Sequence, residues 1–78
     1  MTEYLLKIGS RKFRLLRASQ RVKASGLLEA EDDVWTLLTQ YRRTTTAGEE
    51  WDTWSISSRT ADGLGWLVEA QGTWSDLV

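Results

Sequence analysis

Apolar and polar residues alternate in short runs along most of the chain. Tyr4-Leu5-Leu6-Lys7-Ile8 and Arg11-Lys12-Phe13-Arg14-Leu15-Leu16 flank Gly9-Ser10, a pair suited to a two-residue type II′ hairpin. That register pairs Ile8 with Arg11, Leu6 with Phe13 and Tyr4 with Leu15, so Tyr4, Leu6, Ile8, Phe13 and Leu15 share one face. The other face carries Leu5, Lys7, Lys12, Arg14 and Leu16, with Lys7 across from Lys12. That like-charge pair is costly unless it is wet or answered by acids. Further on, a three-residue loop Ala61-Asp62-Gly63 pairs Ile56 with Val68 and Ser58 with Trp66. It gathers Trp54, Ile56, Leu64, Trp66, Val68 and Ala70 on one face and requires a left-handed Gly63. Between these, an Ala47-Gly48 turn pairs Tyr41 with Trp54, Thr39 with Ile56 and Arg43 with Asp52, adding Trp35, Leu37 and Tyr41 to that face. The agreement predicts a mainly β fold, a small antiparallel meander or barrel of about six strands.

The leucine pairs at 5–6, 15–16, 27–28 and 37–38 recur at the interval of short strands joined by turns. In a strand, one member of each pair points inward and the other away, which leaves Leu5, Leu16 and Leu67 on the outer side of their hairpins. Residues 29–43 also support an alternative α+β fold. Val34, Leu37, Leu38 and Tyr41 have helical spacing, with Glu31-Asp32-Asp33 before them and Arg42-Arg43 after, as a helix dipole prefers. Thr36, Thr39 and the run Thr44-Thr45-Thr46 favour the strand.

Seventy-eight residues make one domain, 1–78, which buries only roughly 60% of the surface its unfolded chain exposes. Cys and His are absent, so disulfides, thiolate zinc sites and imidazole ligands are excluded. Stability must come from apolar packing, for which five tryptophans are a source, or from a partner. The N-terminus lacks the basic start and long apolar run of a secretory signal, and no apolar stretch approaches the ~20 residues that span a bilayer. A soluble cytoplasmic protein is the expectation.

A net charge of −1 conceals a split. Residues 1–28 hold Lys7, Arg11, Lys12, Arg14, Arg17, Arg21 and Lys23 against Glu3 alone, whereas residues 29–78 hold three arginines against ten acids. The simplest reading is mutual neutralisation on a mixed surface. The sharper one is a basic face for nucleic acid or another polyanion, built from Lys7, Lys12, Arg14, Arg17, Arg21 and Lys23. Against it, the aromatic residues lie mostly in the acidic half and are not interleaved with these cations.

No catalytic constellation is visible. Without His or Cys the usual general base and nucleophile are missing. Ser55, Ser57 and Ser58 lack a G-x-S-x-G elbow, and Gly63-x-Gly65 opens no helix that could cradle a phosphate. Glu31-Asp32-Asp33 and Glu49-Glu50-Asp52 lack calcium-loop spacing and read as solvated turn acids. Neither metal nor cofactor is expected.

Trp51-x-x-Trp54, then Asp62-Gly63, then Gly65-Trp66-Leu67-x-Glu69-Ala70-Gln71-Gly72-x-Trp74 resembles a Trp-rich bacterial β-domain family of unknown function, over residues 51–74. In that family a W-x-x-W strand turns through D-G into W-L-x-E-x-x-G-x-W. The resemblance implies an antiparallel β fold and a setting of membrane stress or defence, and no activity. It also implies Trp54 and Trp66 as core, with Gly63 and Gly72 as turns.

The function expected is a non-enzymatic module that binds a protein partner or its own copy as a homo-oligomer. Its contacts would be Leu5, Leu16, Leu67 and two tryptophans outside the apolar face, Trp51 and Trp74, since exposed Trp is a favoured interface residue. The alternatives are polyanion binding through the basic hairpin, or a small inhibitor of mobile-element origin.

Overall fold

The central segment is helical. Helix α1 (Leu27–Thr44) sets Ala30, Val34, Leu37, Leu38 and Tyr41 along one stripe, as 3.6 residues per turn requires. Glu29 sits in its first turn and Arg42 and Arg43 in its last, each at the dipole end that suits its sign. Two threonines are accommodated by local bonds. Thr36 and Thr44 donate their hydroxyls to the carbonyls of Asp32 (3.0 Å) and Gln40 (2.7 Å), four residues back. At the helix start Ser25 donates its hydroxyl and its backbone N–H to the Glu29 carboxylate, which holds that carboxyl below the ordinary glutamate range.

The computed structural model describes residues 1–78. Beside α1 it contains β1 (Thr2–Gly9), β2 (Arg17–Ala24), β3 (Thr53–Arg59) and β4 (Trp66–Thr73), with single 3₁₀ turns at Gly48–Glu50 and Trp74–Asp76. The strands form one sheet in the order β2-β1-β3-β4, every neighbouring pair antiparallel. The protein is therefore mainly antiparallel β with one helix. There are four strands where six were expected, and the sheet is open, not a barrel, because 29–43 is helix and 11–16 is loop. β2 ends at one end of the sheet and β3 starts at the other. An 18-residue helix, roughly 27 Å long, carries the chain back between them.

The connection between β1 and β2 is longer than two residues because its polar groups hold it open. Ser10 Oγ accepts the N–H groups of Lys12 (3.1 Å) and Phe13 (3.0 Å), and Asp52 accepts from both the N–H and the Nε of Arg11 (3.0 Å each). The resulting register sets Glu3 opposite Lys23, Leu5 opposite Arg21 and Lys7 opposite Ser19, so the Lys7–Lys12 pair never forms. Phe13 and Leu15, expected in the core, stay outside it at 44% and 89% exposure.

The connection from β3 to β4 is a tight loop. The Asp62 carboxylate accepts the Thr60 hydroxyl (2.6 Å) and the Leu64 N–H (3.0 Å), which holds it below the ordinary aspartate range. Gly63 is left-handed, φ 74°, as its place in the turn demands. The pairing, however, is Ile56 with Ala70, and an irregularity between Ile56 and Ser57 leaves Glu69 as the extra residue. Beyond that bulge Ser57 pairs with Val68 and Arg59 with Trp66. Trp54 and Ile56 keep the core places expected of them. Trp66 and Val68 are turned to the other face, Leu64 is exposed in the loop, and Gly72 is a β4 residue opposite Trp54 rather than a turn.

The core lies between α1 and one face of the sheet. Tyr4, Leu6, Ile8, Ala24, Trp54 and Ile56 meet Ala30, Val34, Leu37 and Leu38, with Trp51 closing one end. Trp51, expected at a partner surface, is 5% exposed, and its ring tilts against Tyr41 with centroids 4.8 Å apart. Trp54 donates its indole N–H to the Thr73 carbonyl (2.8 Å). No helix is long and apolar enough to cross a membrane.

Candidate functional site

Strand alternation leaves the second face of the sheet uncovered. With Tyr4, Leu6 and Ile8 turned to the helix, Glu3, Leu5 and Lys7 of β1 point the other way. Their cross-strand partners on β2 are Lys23, Arg21 and Ser19, with Arg17 at the strand's start. From β3 come Ser55, Ser57 and Arg59, and from β4 Trp66, Val68 and Gln71. Lys7, Arg17, Arg21, Lys23 and Arg59 are all exposed. Only the small Ser57, flanked by Leu5 and Val68, is shielded.

Five cations on this face are answered by one acid. Glu3 accepts from Arg59 Nε at 3.2 Å, and the only other ion pair in the chain is Arg11–Asp52 at 3.0 Å. Lys7, Arg17, Arg21 and Lys23 therefore have no carboxylate partner. Glu29, Glu31, Asp32 and Asp33 lie on α1, in the other layer, so contact between the basic and acidic parts of the sequence is confined to Arg11–Asp52 and Glu3–Arg59. No three acidic side chains converge as a metal site needs.

Trp66 is the centre of this arrangement. The Arg59 guanidinium lies 4.3 Å from its ring centroid and that of Arg21 lies 5.6 Å away. Arg59 is further tied by its bond to Glu3 and by a second to the Gly63 carbonyl (3.3 Å). Such stacking contributes about 0.5–1 kcal/mol per pair at an exposed site. Its larger effect is to hold cationic and aromatic groups from strands β2, β3 and β4 together on one surface.

Four of the six cations singled out in the sequence, Lys7, Arg17, Arg21 and Lys23, share this face. Arg14 stands at its rim in the Ser10–Leu16 loop, and Lys12 lies in the same loop with its ammonium 5.4 Å from the Phe13 ring. The five residues expected to meet a protein partner are not brought together. Leu5 sits half-buried on the basic face, while Leu16 packs against the core and Trp51 is buried within it. Trp74 is half-buried with the Arg42 guanidinium 4.7 Å over its ring, and Leu67 is exposed on the helix side of the sheet. Trp66 and Arg59 were missing from the sequence-derived site. The bulge at Glu69 hides Trp66, since uninterrupted alternation along β4 assigns it to the core, whereas alternation from Trp54 and Ile56 already turns Arg59 outward. No protein family, curated protein or solved structure matches this chain.

Proposed function

We propose that the protein binds single-stranded nucleic acid on the open face of its sheet. The observation that carries this reading is Trp66 with the Arg59 and Arg21 guanidiniums 4.3 and 5.6 Å from its ring centroid, on a surface whose other cations lack acidic partners. Single-strand binders combine a cationic track for the backbone with π-surfaces on which unpaired bases stack. The objection that aromatic and basic residues are separated in the sequence loses its force, because β3 and β4 bring the one to the other. A sheet face also favours single strands over duplex. It has no projecting helix or ribbon to enter a major groove, and stacking requires bases that are already unpaired.

Fluorescence anisotropy with a labelled single-stranded oligonucleotide tests this directly, at several salt concentrations. The expected result is binding that weakens steeply with salt and exceeds binding to the matching duplex. Duplex bound as tightly as the single strand, or affinity indifferent to salt, overturns the proposal.

A second reading, self-assembly, rests on a different observation. Trp35 is 42% exposed on the outer side of α1, near Glu31 and Asp32 and the exposed Leu28. A second copy offers the complement: its Ser10–Leu16 loop presents Phe13 and Leu15 between Arg11, Lys12 and Arg14. That contact is head-to-tail. Light scattering at two concentrations tests it. A mass that stays that of one chain at high concentration rejects it.

A further inference from the structure

At the end of the basic face, where β1 gives way to the Ser10–Leu16 loop, lies an open concavity of about 630 Å³. Lys7, Arg14 and Arg17 contribute to its wall, together with the polar side chains of Ser10, Ser55 and Gln71, and no carboxylate does. None of the three cations makes an ion pair. We infer that this concavity is a subsite for a terminal phosphate, the phosphomonoester end of a nucleotide or strand; the strand as its source rests on the function proposed above.

The wall is held in place by contacts independent of any ligand. Arg11 is pinned to Asp52 through both its backbone and its side chain, which anchors the loop to the start of β3. Gly9 lets the loop backbone close over the strand end: a Cβ there would lie 2.9 Å from the Leu16 carbonyl oxygen. Ser10 Oγ already accepts two backbone N–H groups, so its remaining capacity is to donate its proton, the polarity an anion needs. Three cations lining one concavity without an acid repel one another, and an anion with more than one charge relieves this best. A terminal phosphate carries roughly −1.5 to −2 charges near neutral pH, against one for each internal phosphodiester.

The position suits the end of a bound strand. Trp66 and Gln71 lie five residues apart on β4, about 17 Å along the sheet, so bases stacked near Trp66 and a phosphate in the concavity can belong to one molecule. The volume also falls within the range of about 300–1,000 Å³ that small-ligand sites occupy, which leaves room for the sugar beside the phosphate.

Competition between oligonucleotides of one sequence tests the subsite, with 5′-phosphate, 3′-phosphate or hydroxyl ends. One phosphorylated end is expected to bind about tenfold more tightly than the hydroxyl form. The variant Arg14→Gln/Arg17→Gln is expected to lose that preference, with all forms bound alike and more weakly, since Arg17 also belongs to the strand-binding face. Trp66→Ala weakens all forms alike and keeps the ratio. Equal affinity for all ends, or a preference that survives Arg14→Gln/Arg17→Gln, overturns the subsite. If no oligonucleotide binds at all, the strand reading fails separately, and inorganic pyrophosphate decides the subsite. Amide shifts at Lys7, Ser10 and Ser55 that disappear in Arg14→Gln/Arg17→Gln assign it to a free phosphate ligand, and their absence rejects it.

Discussion

Arg59 and Trp66 are cross-strand partners whose side chains stack, guanidinium carbon to ring centroid 4.3 Å, on the face of the sheet that the helix leaves bare. The pair joins the two charge regimes of the sequence. Trp66 comes from the acidic C-terminal part, yet it stands beside Arg21 from the basic N-terminal part, 5.6 Å from its ring. The strand order makes this meeting possible, with β2 at one edge of the sheet and β4 at the other and twist bringing long side chains across.

Because Trp66 lies outside the core, its removal should spare the fold and damage binding. Trp66→Ala is expected to cost about 1–3 kcal/mol in single-strand affinity, the range for one base–aromatic stack. Its unfolding midpoint in urea should stay close to that of the native chain. Trp54→Ala, whose indole is buried between sheet and helix, should instead lose about 3–5 kcal/mol of stability. Parallel titrations of both variants check the contrast.

Salt dependence counts the phosphates that the face engages. For single strands each neutralised phosphate contributes about −0.7 to the slope of log K against log salt. Lys7→Gln, Arg17→Gln, Arg21→Gln and Lys23→Gln should therefore each flatten the slope by about 0.7. Arg43→Gln, on the exposed end of α1, should leave it unchanged.

Thr39 offers a stability test unrelated to function. It is buried on α1, and its hydroxyl has no hydrogen-bond partner. Thr39→Val keeps the β-branched shape and helix propensity while removing the unpaired group. We expect a gain of about 1 kcal/mol in unfolding free energy, read from urea denaturation.

Acid should weaken the protein through two exposed carboxylates. Glu29, bonded by the Ser25 hydroxyl and N–H, and Asp62, bonded by the Thr60 hydroxyl and the Leu64 N–H, are both held below their ordinary ranges. As pH falls the unfolded chain takes up these protons first, so their stabilisation is present near neutrality. It is lost progressively as pH falls from the ordinary carboxylate range of about 4 through the lowered folded-state range. Glu29→Gln and Asp62→Asn should be less stable than the native chain near neutral pH, with the difference shrinking toward about pH 3. Urea midpoints measured across that range check the sign.

Much of the fold follows from local pattern. Tyr4, Leu6 and Ile8 alternate in a strand, Val34, Leu37, Leu38 and Tyr41 carry a helical period, and Asp62-Gly63 marks a turn whose glycine is left-handed. Such features depend on neighbours a few residues away, and they survive unchanged in the folded chain. The choice between strand and helix for 29–43 was of another kind, because both patterns were present. The topology resolves it, since the chain must travel from the end of β2 to the far end of the sheet before β3 can pair with β1.

The candidate site was legible only in its charges. Lys7, Arg17, Arg21 and Lys23 could be collected by inspection, but their companion Trp66 could not. One extra residue at Glu69 inverts the phase of β4, and alternation carries no memory of a bulge. Trp51 illustrates the converse: its neighbours in sequence are polar and charged, yet packing with Tyr41 draws it inside. Local chemistry determines which segments become strand, helix or turn, because each depends on contacts within a few residues. Which tryptophan is core and which faces solvent is decided by register and layer packing, and those exist only once distant strands have paired.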